Sequence, residues 1–383
     1  MAPELALAAL EGIRPGSCVL DPMAGSGTVL RQAALAGHRA IGFDLDPLAV
    51  LVTGVSSRPV DLDAVEYLYD EIEDEVRALR NDEIVLPWID ESKETSEFVR
   101  YWFGRKQQNA LRRIAFALRR AEMTATLSER RQVDVLKVAL SRIIITKENG
   151  ASLARDVSHS RPHRVCRTSD YDVISGFRKS TQQVLEFLED GMPAIGARVT
   201  TGDAREMKSI KDSSVDLVVT SPPYLNAIDY LRGHKLSLVW LGYRVEELRQ
   251  VRSNSIGAEK SIEFLPTNDT LTIESSMLGL SEPTRRLRHI VSRFAFDIHR
   301  LLGEIRRVLS DGGKAVFVVG DNCLQNLFIS NSAGIRKAAE INGFRLESQE
   351  TRELPLTSRY LPVTGASLSK RMRLETVLTF KFA

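Results

Sequence analysis

Residues 19–28, Val-Leu-Asp-Pro-Met-Ala-Gly-Ser-Gly-Thr, pass from an apolar run through a glycine-rich turn into the helical spacing of residues 28–37. The apolar stretch 17–20 reads as a strand entered through Pro15-Gly16, and Gly37 stops the helix. A second strand, Ala40-Ile41-Gly42-Phe43, ends at Asp44. Strand, glycine turn, helix and strand make a βαβ beginning, the unit from which doubly wound sheets are built. Ahead of it, residues 3–12 read as a short helix closed by Gly12.

The same alternation resumes far downstream. From about 61 to 148 the apolar spacing is helical, as in Ala64, Tyr67, Leu68, Ile72 and again Leu111, Ile114, Leu118. It yields to a polar, Arg/His/Ser-rich loop at 150–170 and a helix at about 172–190. Residues 197–200 form a short strand ending at Gly202-Asp203-Ala204, and 215–219 a buried one. Within a mixed segment at 231–282, 235–241 reads as helix and the polar stretch 252–276 as loop. A long helix at 285–309, a strand at 314–319, a helix at about 330–341 and strands near 344–351 and 374–382 follow. This pattern predicts an α/β fold with a doubly wound, mostly parallel sheet and one antiparallel edge. The expected domains are a catalytic domain in two parts, 1–58 and 197–383, with a helical insertion at 59–196 and a smaller insertion at about 231–284.

The glycine turn suits a ligand that approaches the backbone closely, because Gly25 and Gly27 carry no Cβ and tolerate unusual φ. Asp44, ending the second strand, is positioned to accept hydrogen bonds from both hydroxyls of a ribose. Position 30 is Leu, so the full Gly-x-Gly-x-x-Gly dinucleotide fingerprint is absent, and a single nucleoside is favoured over a pyrophosphate. Asp44 is also open to reading as a helix cap, and Asp203 as a turn former.

Strand 215–219 runs into Thr220-Ser221-Pro222-Pro223-Tyr224. Both prolines fix their own φ, and Pro223 forces Pro222 into an extended conformation, so the carbonyls of Ser221 and Pro222 point in fixed directions. Tyr224 offers a flat face beside them, a combination suited to a planar, amino-bearing ring such as a nucleobase. Hydrogen bonds that draw the amino protons out of the ring plane would free the nitrogen lone pair for attack. Asn226, Asp229 and Tyr230 could line the same pocket, with Asn226 or Asp229 equally open to reading as a cap of the next helix.

Ser-Pro-Pro-Tyr resembles motif IV of the S-adenosylmethionine-dependent DNA methyltransferases that modify exocyclic amino groups, cytosine N4 or adenine N6. Residues 21–28 resemble that family's motif I, Asp-Pro-Phe-x-Gly-Ser-Gly-Thr, with Met23 in the place of Phe. The resemblance implies a Rossmann-like, seven-stranded methyltransferase-type sheet, and S-adenosylmethionine as cofactor. It places Asp21 near the methionine amino group, Pro22, Ala24, Gly25, Gly27 and Thr28 along the backbone path, and Asp203 with Ala204 near the adenine. It makes Ser221, Pro222, Pro223 and Tyr224 the catalytic turn, with Tyr224 stacking on a flipped base. Ser before Pro-Pro-Tyr is more typical of cytosine-N4 than of adenine-N6 enzymes. An RNA or protein amide methyltransferase and a catalytically silent DNA-binding relative are the other readings. The match covers residues 1–50 and about 197–383, and the cofactor motif precedes the Pro-Pro turn by almost 200 residues, an unusual order.

Net charge over the 383 residues is only +2, but residues 61–99 carry 3 positive and 14 negative side chains and residues 100–180 carry 18 and 7, a net of +11. The basic block either attracts a phosphate backbone or forms a solvated face neutralised by the acidic one. Double-stranded DNA is the expected partner, with room for a companion restriction enzyme. Arg155, His159, Arg161 and Arg164 in the polar loop, and Arg359 and Arg371 before the last strand, are the expected DNA contacts. Tyr101, Trp102 and Phe103 read as helix packing in preference to DNA stacking. Cys18, Cys166 and Cys323 have neither metal-ligand spacing nor a preceding proline. No zinc site and no cytosine-C5 chemistry through a Pro-Cys nucleophile are therefore expected. No paired-carboxylate nuclease signature occurs, and the composition fits a cytoplasmic protein with no membrane span.

Overall fold

The computed structural model describes residues 1–155, 162–223, 225, 230–258, 264–324, 327–353 and 374–382. They form two compact units, one of residues 1–45, 195–228 and 253–383, the other of residues 46–194 and 229–252.

The first unit is built on a seven-stranded sheet of β1 (Cys18–Asp21), β2 (Arg39–Asp44), β3 (Arg198–Thr201), β4 (Val215–Thr220), β5 (Leu309–Gly320), β6 (Phe344–Glu353) and β7 (Leu374–Phe382), in the order β6-β7-β5-β4-β1-β2-β3. Strands β3, β2, β1, β4 and β5 are mutually parallel. This is the doubly wound, mostly parallel, Rossmann-like methyltransferase-type sheet, and its strand order reverses between β1 and β4. The reversed strand β7 lies inside the sheet, antiparallel to both β5 and β6, where a reversed edge was expected. Local pattern identifies the terminal strand pair, but which member faces β5 depends on the fit of side chains across the sheet.

Strands β1 and β4 are buried on both faces, which is why they read as continuous apolar runs. The helix Arg285–Val308 supplies a full stripe, Phe294, Ile298, Leu301, Leu302 and Ile305, to the core that holds Leu20, Val218, Phe317 and Leu378. Each such side chain stabilises the fold by about 1.5–3 kcal/mol. The polar stretch 252–276, expected to be loop, is helix at both ends, since Val245–Asn254 reaches into it and Asn268–Leu278 begins within it. Thr267 caps the latter, its Oγ1 accepting from the Thr270 N–H at 3.2 Å. Three of its four apolar residues, Ile273, Met277 and Leu278, fall on the buried face while Leu271 is exposed, so low hydrophobic content concealed the stripe.

The second unit is helical, apart from a two-residue hairpin pairing Ala154–Arg155 with His163–Arg164. Leu111, Ile114 and Leu118 are buried as their spacing predicts. In the helix Leu62–Ala78 the period is right but the stripe is shifted. Val65, Tyr69, Ile72 and Val76 face the core, while Tyr67 is exposed. Of the aromatic triplet, Phe103 is buried and Trp102 packs at the edge of the core, whereas Tyr101 is exposed with the Arg164 guanidinium 5.1 Å above its ring.

Much of the basic block is answered within this unit. Arg112 pairs with Asp90 at 2.7 Å, Arg120 with Glu75 at 2.7 Å, Lys137 with Glu122 at 2.5 Å, and Arg178 with Glu73. The acidic stretch before residue 100 thus neutralises part of the basic stretch after it. Among the described residues no helix is long and apolar enough to cross a membrane, and no cluster of side chains is arranged to hold a metal ion.

Candidate active site at the carboxyl ends of the central strands

The glycine turn leaves β1 at Asp21 and the Pro-Pro turn leaves β4 at Thr220, on neighbouring parallel strands at the point where strand order reverses. Open α/β sheets bind ligands in the crevice at this position. The two turns touch directly, because the buried Thr220 hydroxyl donates to Asp21 Oδ1 at 2.8 Å. Gly25 and Gly27 take φ of +54° and +81°, conformations that a Cβ would strain, and Gly27 then starts the helix Thr28–Leu35. Ser26 and Thr28 hydroxyls lie 3.3 Å apart at its mouth. Pro22 and Ala24 complete the turn, and the Ala24 N–H donates to the Phe43 carbonyl at 2.8 Å, joining it to β2.

Asp21 is almost wholly buried, and burial pushes its carboxyl up to about 7, against the hydrogen bonds from Thr220 and the Met23 N–H that favour the charged form. Among the described residues no side-chain cation pairs with it. Asp44, at the end of β2, accepts from the Gly25 N–H at 2.9 Å, so it braces the turn and does not cap a helix; Asp46 does that. Asp203 follows β3, and the Gly202 N–H donates to the Asp44 carbonyl at 3.0 Å. Three carboxylates therefore stand at the ends of three adjacent strands. Such a set repels a phosphate and suits a phosphate-free nucleoside bearing positive charge, with amino and hydroxyl groups to donate.

The structure gives Asp203 a partner that sequence reading missed. Arg205, itself buried, forks onto both Asp203 oxygens at 2.9 and 2.7 Å and reaches Asp297 Oδ1 at 2.6 Å. Asp297 also accepts from Arg293 Nε at 3.0 Å. Burial raises the Asp203 pKa, but the Arg205 hydrogen bonds prevail and hold it below the usual carboxylate range. Asp203 also forms the turn foreseen as its alternative, accepting from the Arg205 N–H at 2.9 Å. A carboxylate has about four acceptor positions, and Arg205 fills at least three of them, with Nε also 3.2 Å from Oδ2, so at most one is left for a ligand. Ala204 beside it is buried.

At the Pro-Pro turn the Ser221 hydroxyl donates to the Val318 carbonyl of β5 at 2.9 Å. With its hydrogen committed, the remaining lone pairs of Ser221 Oγ can only accept, the polarity an amino group needs. Adjacent hydroxyls thus tie the turn to the strands on either side, Thr220 to β1 and Ser221 to β5. Pro222 is buried and Pro223 half-buried. Downstream, Asn322 Nδ2 donates to the Leu225 carbonyl at 2.6 Å, and Asn331, fully buried, donates to Asn322 Oδ1 at 3.1 Å. Neither asparagine carried a sequence signal. Tyr224, Asn226 and Asp229 lie outside the described residues.

Of the expected DNA contacts, His159, Arg161, Arg359 and Arg371 also lie outside the described residues. Arg155 spends its donors on its own loop, on the carbonyls of Glu148, Ser152 and Ala154 and on Asn149 Oδ1. Among the described residues Arg164 bonds the Cys166 carbonyl at 3.2 Å, and it remains exposed over Tyr101.

No protein-family model matches the chain. The chain is similar to the type II methyltransferase M.BsoBI of Geobacillus stearothermophilus, 23% identical over 276 residues, which is 63% of this chain and 50% of the relative. It therefore spans half the length of the curated relative it matches. Among solved structures, an S-adenosylmethionine-dependent methyltransferase from Methanosarcina mazei aligns over 100% of this chain and 98% of its own, at 10% identity and a TM-score of 0.34. A candidate DNA modification methylase from Thermus thermophilus aligns over 47% and 50% respectively, at 19% identity and a TM-score of 0.24.

Proposed function

We propose that this chain transfers a methyl group from S-adenosylmethionine to the exocyclic amino group of a DNA base, cytosine N4 in preference to adenine N6. The observation that supports this most is the direct contact of the two turns through Thr220 and Asp21, which joins a nucleoside-type pocket to an acceptor-lined turn. The likeness to a type II methyltransferase agrees with it.

The acidic set fits this cofactor. Asp21 would hold the ammonium of the methionine part, Asp44 the ribose hydroxyls and Asp203 the adenine amino group, with Gly25 and Gly27 leaving the backbone open beneath. When bound, the cofactor supplies an electrophilic methyl group. Ser221 Oγ and the Pro222 carbonyl accept the two amino hydrogens of the base and free the nitrogen lone pair. Tyr224 stacks on the flipped ring. Holding the nitrogen in line, about 3–3.5 Å from its target, supplies much of the acceleration, and no covalent enzyme intermediate is required. Incubation with methyl-labelled cofactor and unmethylated DNA, followed by digestion to nucleosides and mass spectrometry, tests the reading. Labelled N4-methylcytosine is the expected product. N6-methyladenine would reverse the base preference, and an unlabelled DNA pool would sink the substrate.

Cofactor affinity should depend on pH through Asp21. Only the ionised carboxylate pairs with an ammonium, and the free protein holds this group near 7. The cofactor ammonium stays protonated below that pH. Binding should weaken as pH falls below 7, by roughly fiftyfold between pH 7 and pH 5. The sign for stability is opposite. A pKa raised from 3.8 favours the folded, ligand-free protein at low pH, and that advantage fades as pH rises through about 7. Calorimetric titration across this range reads both trends, and a pH-independent affinity would remove Asp21 from the ammonium site.

For DNA, Arg164→Ala should reduce the slope of log affinity against log salt by about one. An unchanged slope would move the phosphate contact away from the hairpin.

A further inference from the structure

The helical unit contains a cavity of about 420 Å³ that the methyl-transfer chemistry does not use. Its wall includes Arg142, at the end of the helix Leu127–Arg142, Lys179 on the helix Val173–Glu189, and His234 on the helix Leu231–Leu238. No Asp or Glu is among the lining residues. The nearest carboxylate to His234 is Asp46, whose Oδ2 lies 2.5 Å from Nδ1 and so leaves Nε2 for a ligand. Neither Arg142 nor Lys179 has a carboxylate partner among the described residues, in a unit where so many cations do. Such a wall attracts an anion.

The rest of the lining is suited to a heterocycle. Tyr171 lies against the helix backbone at Gly176, so closely that a Cβ there would overlap its hydroxyl. Glycine inside a helix costs about 1 kcal/mol, and here it admits a ring face to the cavity wall. Thr146 Oγ1 is buried with no hydrogen-bond partner among the described residues, although such groups are nearly always paired. Gln183, one turn beyond Lys179, adds a donor and an acceptor.

We propose that this cavity binds a nucleoside 5′-phosphate unit, its phosphate on Arg142, Lys179 and His234 and its base against Tyr171. The volume falls in the range of small-ligand sites. The unit is either one nucleotide of a DNA strand or a free mononucleotide. Neither requires the methyl-transfer reading to hold.

The test uses the full chain and deoxycytidine 5′-monophosphate, with S-adenosylhomocysteine present to occupy any nucleoside site in the sheet unit. Saturable binding is expected, weakened at least tenfold in the Arg142→Ala/Lys179→Ala double variant. Gly176→Ala, which crowds Tyr171, should weaken the nucleotide and spare inorganic phosphate. Loss of duplex DNA affinity in the double variant would identify the nucleotide as part of DNA, and unchanged DNA affinity would identify a free mononucleotide. Absence of binding at millimolar nucleotide, or equal binding by the folded double variant, overturns the proposal.

Discussion

Replacing Ser221 by alanine should, on the proposed chemistry, lower the rate of methyl transfer by about 10²–10³ while leaving the dissociation constant for S-adenosylmethionine nearly unchanged. The hydroxyl is committed as a donor to Val318, so what alanine removes from the substrate is an acceptor alone. An amino group conjugated into its ring is a weak nucleophile until its hydrogens are held, and the lost interaction strengthens as the nitrogen becomes tetrahedral. The loss should therefore appear in kcat and not in substrate affinity. Thr220 remains to fix Asp21, so the proposed cofactor pocket has no reason to change. Single-turnover kinetics beside a binding titration separate the two quantities. A variant that methylates at the normal rate would remove Ser221 from the chemistry.

The second large effect concerns stability. Arg205→Ala should destabilise the sheet unit by about 3–5 kcal/mol, because it strips a partner from the fully buried Asp297 and both forks from Asp203. Arg293 remains on Asp297, which keeps the loss from being larger. Cofactor affinity should fall as well, since Arg205 fixes the direction of the Asp203 carboxylate. Denaturant unfolding of the variant measures the first effect. A loss under about 1 kcal/mol would mean that the buried pairs roughly cancel their own desolvation cost.

These two sites were legible to different degrees. The strands, the glycine turn and the Pro-Pro turn are local, written in runs of apolar residues and in the backbone limits of Gly and Pro. Periodicity therefore located them within a residue or two, except that β5 begins at Leu309, five residues before the expected 314. The Arg205–Asp297 pair spans 92 residues, and with 52 cationic and 50 acidic side chains available, nothing in the sequence singles out that pairing. The same limit left the neutralisation of the basic block as one of two open readings, and hid the donors of Arg155 that fold back on their own loop. The polar helix Asn268–Leu278 escaped for another reason, since three buried apolar side chains in eleven residues suffice once a core is waiting for them.

Trp240 is buried in the core of the helical unit, edge-on to Phe103 at 5.0 Å, and Trp88 Nε1 donates to the Val239 carbonyl at 2.8 Å. Those residues arrive only after β4, whereas most of the unit precedes β3. The helical body is therefore no detachable cassette. An excised 46–194 fragment would lack its largest core side chain, a deficit of about 3–5 kcal/mol by the scale of Trp→Ala substitutions, and would be expected to remain loosely packed. During synthesis the helical body cannot finish until four of the five parallel strands, β1 to β4, have been made. Any graft of the helical unit onto another sheet has to carry residues 229–252 along with it.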